Sequence, residues 1–149
     1  MSYGHIYVAQ VSMGANPQQY LKAIQEAEAY NGPSLIICYA PCINHGVRKG
    51  MGKSQTEMKL ATECGYWPIF RYNPMLEKEG KNPMQLDCKE PNWDKYQDYL
   101  MGEVRYISLA KTNPKEAEAL YTRNRRDAQR RWRQYNRIAA MDFSAEKED

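Results

Sequence analysis

The chain has 149 residues, of which 42% are hydrophobic and 26% charged, and its formal net charge is +3 at pH 7. These values are typical of one globular domain with its own hydrophobic core. The longest apolar stretches are far shorter than the roughly 18 residues of a membrane-spanning helix, so no membrane partner is expected. Four irregularly spaced cysteines favour reduced thiols in the cytoplasm over a disulfide framework.

The first third of the chain predicts a strand, a helix and a second strand, which together form a right-handed βαβ crossover. Residues 6–11 predict the first strand, and a helix begins at Pro17, where Asn16 can cap it. Residues 35–40 form an unbroken apolar run between two prolines. Such a run predicts a central strand of a parallel sheet, buried on both faces. One apolar helix face is expected from Tyr20, Ala23, Ile24 and Ala27.

The remainder of the chain predicts more helix than strand. Ser54 and Glu57 predict a capping box at the start of the next helix, with each side chain bonding the other's backbone N–H. Residues 67–72 and 84–88 predict two short strands, and helical spacing then continues over residues 93–112. A final helix of about seven turns is expected to bury a narrow stripe of Ala117, Tyr121, Ala128, Trp132, Tyr135 and Ala139.

The outer faces of this final helix are strongly basic. Only Asp127 opposes the positive charge locally. The arginines are Arg123, Arg125, Arg126, Arg130, Arg131, Arg133 and Arg137. A basic run of this kind suits nucleic acid, but no RNA- or DNA-binding motif accompanies it, so a solvated or subunit-facing surface is favoured. No nucleic-acid partner is expected.

Candidate chemistry lies just after the second predicted strand. Ligands in open α/β sheets bind outside the carboxyl ends of the strands, and Cys42, Asn44 and His45 follow that end directly. These residues are at most half of a zinc site, which would need a second half. Cys42 is therefore the candidate functional thiol. The other three cysteines are expected to pack in core elements, Cys38 inside the strand and Cys64 and Cys88 near element ends.

A resemblance to a known family covers about the first three quarters of the chain. It is carried by APCINHG around Cys42, by the surrounding residues 7–74, and by KNPMQLDCKEP and YLMGEVRYISL within residues 81–109. These stretches resemble the C-terminal part of the pyruvate:ferredoxin (flavodoxin) oxidoreductases. The resemblance implies an α/β fold. Residues 1–110 would form the C-terminal portion of a thiamine-diphosphate-binding parallel-sheet domain with iron–sulfur chemistry, and residues 111–149 a C-terminal helical extension.

The resemblance also implies a function that this chain cannot carry out alone. Family members are large cytoplasmic homodimers that use thiamine diphosphate, Mg²⁺ and [4Fe–4S] clusters. They convert pyruvate and coenzyme A to acetyl-CoA and carbon dioxide, and they pass electrons to ferredoxin or flavodoxin. Cys42 would be one of four ligands of the cluster nearest the thiamine. The other three ligands are absent from this chain, which is therefore expected to be an inactive fragment that binds none of these cofactors without the remainder of the parent enzyme.

A different hypothesis treats the chain as a non-catalytic truncated module. It would then dimerise or bind a partner through an exposed edge of the strand at residues 6–11 and through the stripe at Trp132 and Tyr135 on the last helix.

Overall fold

The computed structural model describes residues 1 and 3–144, which form a four-stranded sheet with helices packed against it. In chain order the elements are β1 Tyr7–Val11, α1 Pro17–Ala29, β2 Ser34–Cys38, α2 Ser54–Glu63, β3 Phe70–Tyr72, α3 Met75–Lys78, β4 Met84–Leu86, α4 Tyr96–Leu100, α5 Val104–Thr112 and α6 Pro114–Ala139. The predicted α/β fold is confirmed. The end of the predicted helical extension, residues 145–149, lies outside the described residues. Among the described helices, none is both long and apolar enough to cross a bilayer.

The sheet is mixed, with strand order β2-β1-β3-β4. β1 and β2 run parallel and are joined through α1, which confirms the predicted βαβ crossover. β3 pairs antiparallel with β1, and β4 pairs antiparallel with β3. The predicted parallel pairing therefore holds for the βαβ unit, and the two further strands make the sheet mixed. The connection between β3 and β4 is shorter than the dozen or more residues that a parallel crossover needs, so these two strands pair antiparallel.

The positions of the first two strands in the sheet are the reverse of those predicted. β1 is paired on both sides, so the predicted exposed edge of the first strand is wrong. β2 is an edge strand, and no other described strand pairs with its outer side. Leu35 is 52% exposed and Ile37 38% exposed, and Cys38 is exposed rather than packed in a core. An apolar strand is buried on both faces only where other elements cover it, and no described strand lies beyond β2 in the sheet.

One face of the sheet is covered by α1. The Asn16 side chain accepts a hydrogen bond from the Gln19 backbone N–H at 3.0 Å, which confirms the predicted cap. Ala23 packs against the buried side chains of β1, as its place in the helical period predicts. Ile24 is 39% exposed, however, so the predicted apolar face of α1 is narrower than expected.

The opposite face of the sheet packs against the end of α6. The Tyr135 ring lies 5.1 Å from the Phe70 ring between centroids, and Ile138 contacts the same cluster. Every member of the predicted stripe on α6 is buried or half-buried, which confirms that prediction. Because Tyr135 packs against Phe70, and Trp132 is half-buried, this stripe is less free for dimerisation than the alternative hypothesis requires.

Two local predictions in the helical part are wrong. Residues 93–112 form α4 and α5, separated by a break at residues 101–103, rather than one helix. The Ser54 hydroxyl donates to the Met51 carbonyl at 2.5 Å instead of capping α2. Glu57 is only 2% exposed and points inward, so there is no capping box. The Glu57 carboxyl packs against Gly102 instead of forming the predicted hydrogen bond at the start of its own helix.

A buried guanidinium joins three separate parts of the chain. Arg71, on β3, is 6% exposed and makes a bidentate pair with Asp87 at 2.8 and 2.9 Å. Its Nη1 also donates to Glu26 of α1 at 2.5 Å. The Tyr7 hydroxyl donates to the other oxygen of Glu26 at 2.9 Å. Both carboxylates thus share the single positive charge of Arg71, and each accepts hydrogen bonds from it, as buried charges require.

We expect Arg71→Met to lower the free energy of unfolding of the 149-residue chain by about 3–5 kcal/mol, because it leaves two partly buried carboxylates without their cation. Urea denaturation followed by circular dichroism measures this loss. Arg130→Met is the matched control. Its side chain is 68% exposed and pairs only with Asp127, so the change should cost less than about 1 kcal/mol. Equal losses in the two variants would show that the Arg71 network does not hold the sheet to α1.

Candidate functional site

The candidate site is the loop at residues 41–50, which leaves the carboxyl end of β2. Backbone hydrogen bonds hold it against the break between α4 and α5. The Arg48 N–H donates to the Gly102 carbonyl at 2.8 Å, and the Val104 N–H donates to the Gly46 carbonyl at 3.2 Å. Val47 forms a bridge with Glu103 between these two bonds. The loop that carries the predicted site residue is thus fixed at its far end by the helical part of the chain.

Cys42 and His45 lie together at the tip of this loop. The Cys42 sulfur is 3.1 Å from His45 Nδ1. The side-chain hydrogen bond from His45, and then the backbone N–H groups of His45 and Asn44, lower the pKa of the Cys42 thiol to about 7. A large share of Cys42 is therefore thiolate at neutral pH, and the sulfur can bind a metal or attack an electrophile.

The remaining cysteines have different surroundings. Cys64 is fully buried, and burial raises the pKa of its thiol to about 12. Burial likewise raises the pKa of the Cys88 thiol to about 11, and this thiol donates to the Ile69 carbonyl at 3.5 Å. These two cysteines match the prediction that they are packing residues, whereas Cys38 does not because it is exposed. Cys42 differs from Cys64 and Cys88 because its environment favours the thiolate.

The described residues contain no group of three or more His, Cys, Asp and Glu side chains that could hold a metal ion. Cys42 can therefore supply one thiolate ligand, with His45 beside it as a hydrogen-bonding neighbour. The prediction that Cys42 is one ligand of a cluster remains a prediction at this point.

Two buried glutamates lie beneath the anchored end of the loop. Glu57 of α2 is 2% exposed and Glu103 is fully buried. The Glu57 carboxyl lies so close to Gly102 that a Cβ there would be 2.2 Å from Oε1. Burial, and next the carboxylate of Glu103, raise the pKa of Glu57, while Lys49 opposes them. The neutral form of Glu57 is therefore favoured relative to that of an exposed glutamate.

Two tyrosines complete this buried cluster. The Tyr39 hydroxyl lies 2.6 Å from the Tyr99 hydroxyl and donates to Glu103 Oε1 at 3.2 Å. One oxygen of each glutamate, Glu57 Oε1 and Glu103 Oε2, is buried without a hydrogen-bond partner among the described residues. Tyr39 follows β2 directly, so the cluster connects the carboxyl end of this strand to the helix break.

The sequence analysis did not identify this pair of buried carboxyls. A signal for Glu57 was present, because Glu57 shares one face of α2 at helical spacing with Cys64, which was expected to pack in a core element. The capping-box interpretation hid that signal. Glu103 lies in a helix break that the sequence did not predict, so nothing local marked it.

Comparison with curated proteins gives strong similarities. Over 142 residues, 95% of this chain, it is 56% identical to the pyruvate-flavodoxin oxidoreductase of Klebsiella pneumoniae. Over 139 residues, or 93% of the chain, it is 55% identical to the pyruvate:ferredoxin oxidoreductase of Moorella thermoacetica. The chain is similar to one segment of these oxidoreductases. This confirms the resemblance identified from the motifs around Cys42.

The similarity covers only a small part of each relative. The chain spans 12% of the length of these two oxidoreductases. A protein from Euglena gracilis named pyruvate dehydrogenase (NADP(+)), mitochondrial, is 48% identical over 138 residues, which are 93% of this chain and 8% of that protein. No family model matches the chain. The matches do not test where the segment lies within these oxidoreductases, so its C-terminal position stays a prediction.

The raised pKa of Glu57 has a consequence for stability. Between the ordinary value of 4.5 and the higher folded value, the unfolded chain has released a proton that the folded chain still holds. Stability therefore falls as the pH rises through that interval. We expect Glu57→Gln to remove this loss of stability, because a glutamine side chain does not titrate. The melting temperature of the variant minus that of the wild type should therefore increase from pH 4 to pH 8. Each unit of pKa difference corresponds to about 1.4 kcal/mol.

Thermal melting of both chains across that pH range measures the effect. Glu63→Gln is the matched control, because Glu63 is on the same helix but exposed, and its replacement removes no buried carboxyl. A constant difference between Glu57→Gln and the wild type at every pH would contradict the assignment of a retained proton to Glu57.

Proposed function

We propose that this chain is one segment of a pyruvate:ferredoxin or pyruvate:flavodoxin oxidoreductase and acts only as part of the whole enzyme. The observation that carries the proposal is the 56% identity over 95% of the chain to such an oxidoreductase. Identity at that level over almost the whole chain supports a shared fold between this chain and the matching segment of that relative.

The surface of β2 gives physical support to the proposal. Leu35 and Ile37 expose apolar side chains on a strand edge with no described neighbour. An unpaired edge with apolar side chains promotes association with other chains, and natural proteins cover or charge such edges. A larger protein that contains this segment offers the covering surface.

The site residues fit the iron–sulfur cluster that the family resemblance implies. Cluster iron is held by cysteine thiolates, and Cys42 is the cysteine whose hydrogen bonds favour the thiolate. In the proposed enzyme Cys42 is one of four ligands of the [4Fe–4S] cluster nearest the thiamine. The other three ligands come from the remainder of the enzyme. When bound, the cluster carries single electrons away from the thiamine-diphosphate centre towards ferredoxin or flavodoxin.

The chain's own residues have a holding role in this scheme. The bonds from residues 46–48 to residues 102–104 hold the loop in place, and Tyr39 ties the end of β2 to Glu103 below it. This keeps the Cys42 sulfur in a defined position at the edge of the segment. The complete enzyme would be a cytoplasmic homodimer that converts pyruvate and coenzyme A to acetyl-CoA and carbon dioxide, with thiamine diphosphate and Mg²⁺ bound elsewhere.

The proposal predicts the effect of Cys42→Ser in a complete oxidoreductase that carries this segment. An alkoxide or hydroxyl oxygen is a poorer ligand for cluster iron than a thiolate. We expect the variant to lose about four iron atoms per chain and the electron paramagnetic resonance signal of one cluster. Electron transfer to ferredoxin or flavodoxin should stop, while the fold remains. Iron analysis and redox-poised spectra of the purified enzyme measure these losses.

Cys38→Ser is the matched control, four residues earlier in the same enzyme. Cys38 is exposed, so its replacement buries no hydroxyl and should cost little stability. The control should keep every cluster. A full set of clusters in Cys42→Ser together with a missing cluster in Cys38→Ser would assign the ligand to the other thiol.

The proposal also predicts that the 149-residue chain alone binds no thiamine diphosphate and is inactive. The diphosphate and Mg²⁺ need a binding motif that this sequence lacks. Isothermal titration of the isolated chain with thiamine diphosphate and Mg²⁺ should give no binding heat, whereas the complete enzyme should bind in the same buffer. Micromolar binding by the isolated chain would contradict the idea that this segment depends on the remainder of the enzyme.

A further inference from the structure

We propose that His45 is a positioning residue that donates a hydrogen bond from Nδ1 to the Cys42 sulfur and thereby raises the reduction potential of the cluster bound there. This inference rests on the proposed function, because it requires Cys42 to be a cluster ligand. The resemblance and the comparisons assign no role to His45.

The loop geometry brings these two side chains together. The Gly46 N–H donates to the Cys42 carbonyl at 2.8 Å, and Gly46 has a φ of 81°, in the left-handed region. A single tight turn therefore encloses residues 42–46 and places the side chains three positions apart on one side. As a result, His45 Nδ1 lies 3.1 Å from the Cys42 sulfur.

The direction of the hydrogen bond follows from the chemistry of a ligand sulfur. A thiolate that binds iron carries no proton and can only accept. A hydrogen bond across this contact then has Nδ1 as its donor, which is the tautomer that the proposal assigns to His45. The sulfur is also the only hydrogen-bond partner of the His45 side chain among the described residues.

The consequence for the cluster is electrostatic. Reduction adds negative charge to the cluster and its sulfur ligands, and an N–H donor stabilises the reduced form more than the oxidised form. The turn itself is held by the backbone bond from Gly46 to Cys42, which stays in any side-chain variant of His45. Replacing the imidazole therefore removes its contact with the sulfur and leaves the turn in place.

The surroundings of His45 make the substitution a clean one. The side chain is exposed, and the neighbouring Ile43 is 86% exposed. Exposed substitutions away from caps and buried contacts usually change stability little. Replacing His45 therefore removes no packing contact within this segment, and the iron content of the complete enzyme shows whether the cluster still assembles in the variant.

The test uses a complete oxidoreductase that carries this segment with His45→Phe. Iron content and the redox-poised electron paramagnetic resonance spectrum of the thiamine-proximal cluster are measured in parallel. The expected result is an unchanged iron content and a shift of the midpoint potential of that cluster to a more negative value. His45→Gln keeps an N–H donor in its side chain. The midpoint potential of this variant should therefore lie close to the wild-type value.

The other histidine of the chain is the matched control. His5 lies before the amino end of β1, whereas Cys42 follows the carboxyl end of the parallel β2. A five-residue strand is about 17 Å long, so His5 is remote from the sulfur. His5→Phe should leave the midpoint potential unchanged.

The outcomes separate the two proposals. An unchanged potential in His45→Phe overturns the role of His45, even when Cys42→Ser loses the cluster as the proposed function requires. A cluster that survives Cys42→Ser overturns the proposed function itself. If His45→Phe loses the cluster, its retention in His45→Gln supports the donor, and equal loss in both variants overturns it.

Discussion

The buried ion pairs of Arg71 are the interaction on which the rest of the structure depends. The guanidinium bonds Asp87, beyond β4, and Glu26, on α1, from a position on β3. Arg71 is also the register partner of Ala9 on β1. It therefore holds α1 and both antiparallel strands around β1, the strand paired on both sides. Buried charge pairs tolerate little displacement, because each partner left alone pays its full desolvation cost.

This arrangement decides where the candidate site lies. With β1 inside the sheet, β2 becomes an edge strand, and the loop after it emerges at the boundary of the segment rather than in a closed crevice. The bonds between Arg48 and Gly102 and between Val104 and Gly46 then attach that loop to the helix break. The Cys42 sulfur is thus presented outwards from an anchored loop, a position suited to sharing a cluster with another part of a protein.

The buried carboxyls add a second constraint on the same loop. Glu57 and Glu103 meet at Gly102, and the space for the Glu57 carboxyl exists because Gly102 has no side chain. Because two unprotonated carboxylates in a dry site repel each other, burial and the Glu103 carboxylate raise the pKa of Glu57 directly beneath the helix break.

The sequence by itself determined the features that depend on neighbouring residues. The cap at Asn16, the βαβ order, the buried stripe of α6 and the place of Cys42 just after a strand all follow from local spacing and turn chemistry. The motif around Cys42 also carried the family resemblance, which the comparisons confirmed.

Only the tertiary structure decided the strand order, the exposure of Cys38 and the inward position of Glu57. An apolar run shows that a strand can be buried but not which neighbours cover it, and a capping residue can be turned inward when a glycine far along the chain leaves room. These features depend on contacts between residues far apart in sequence, and their energies outweigh local preference.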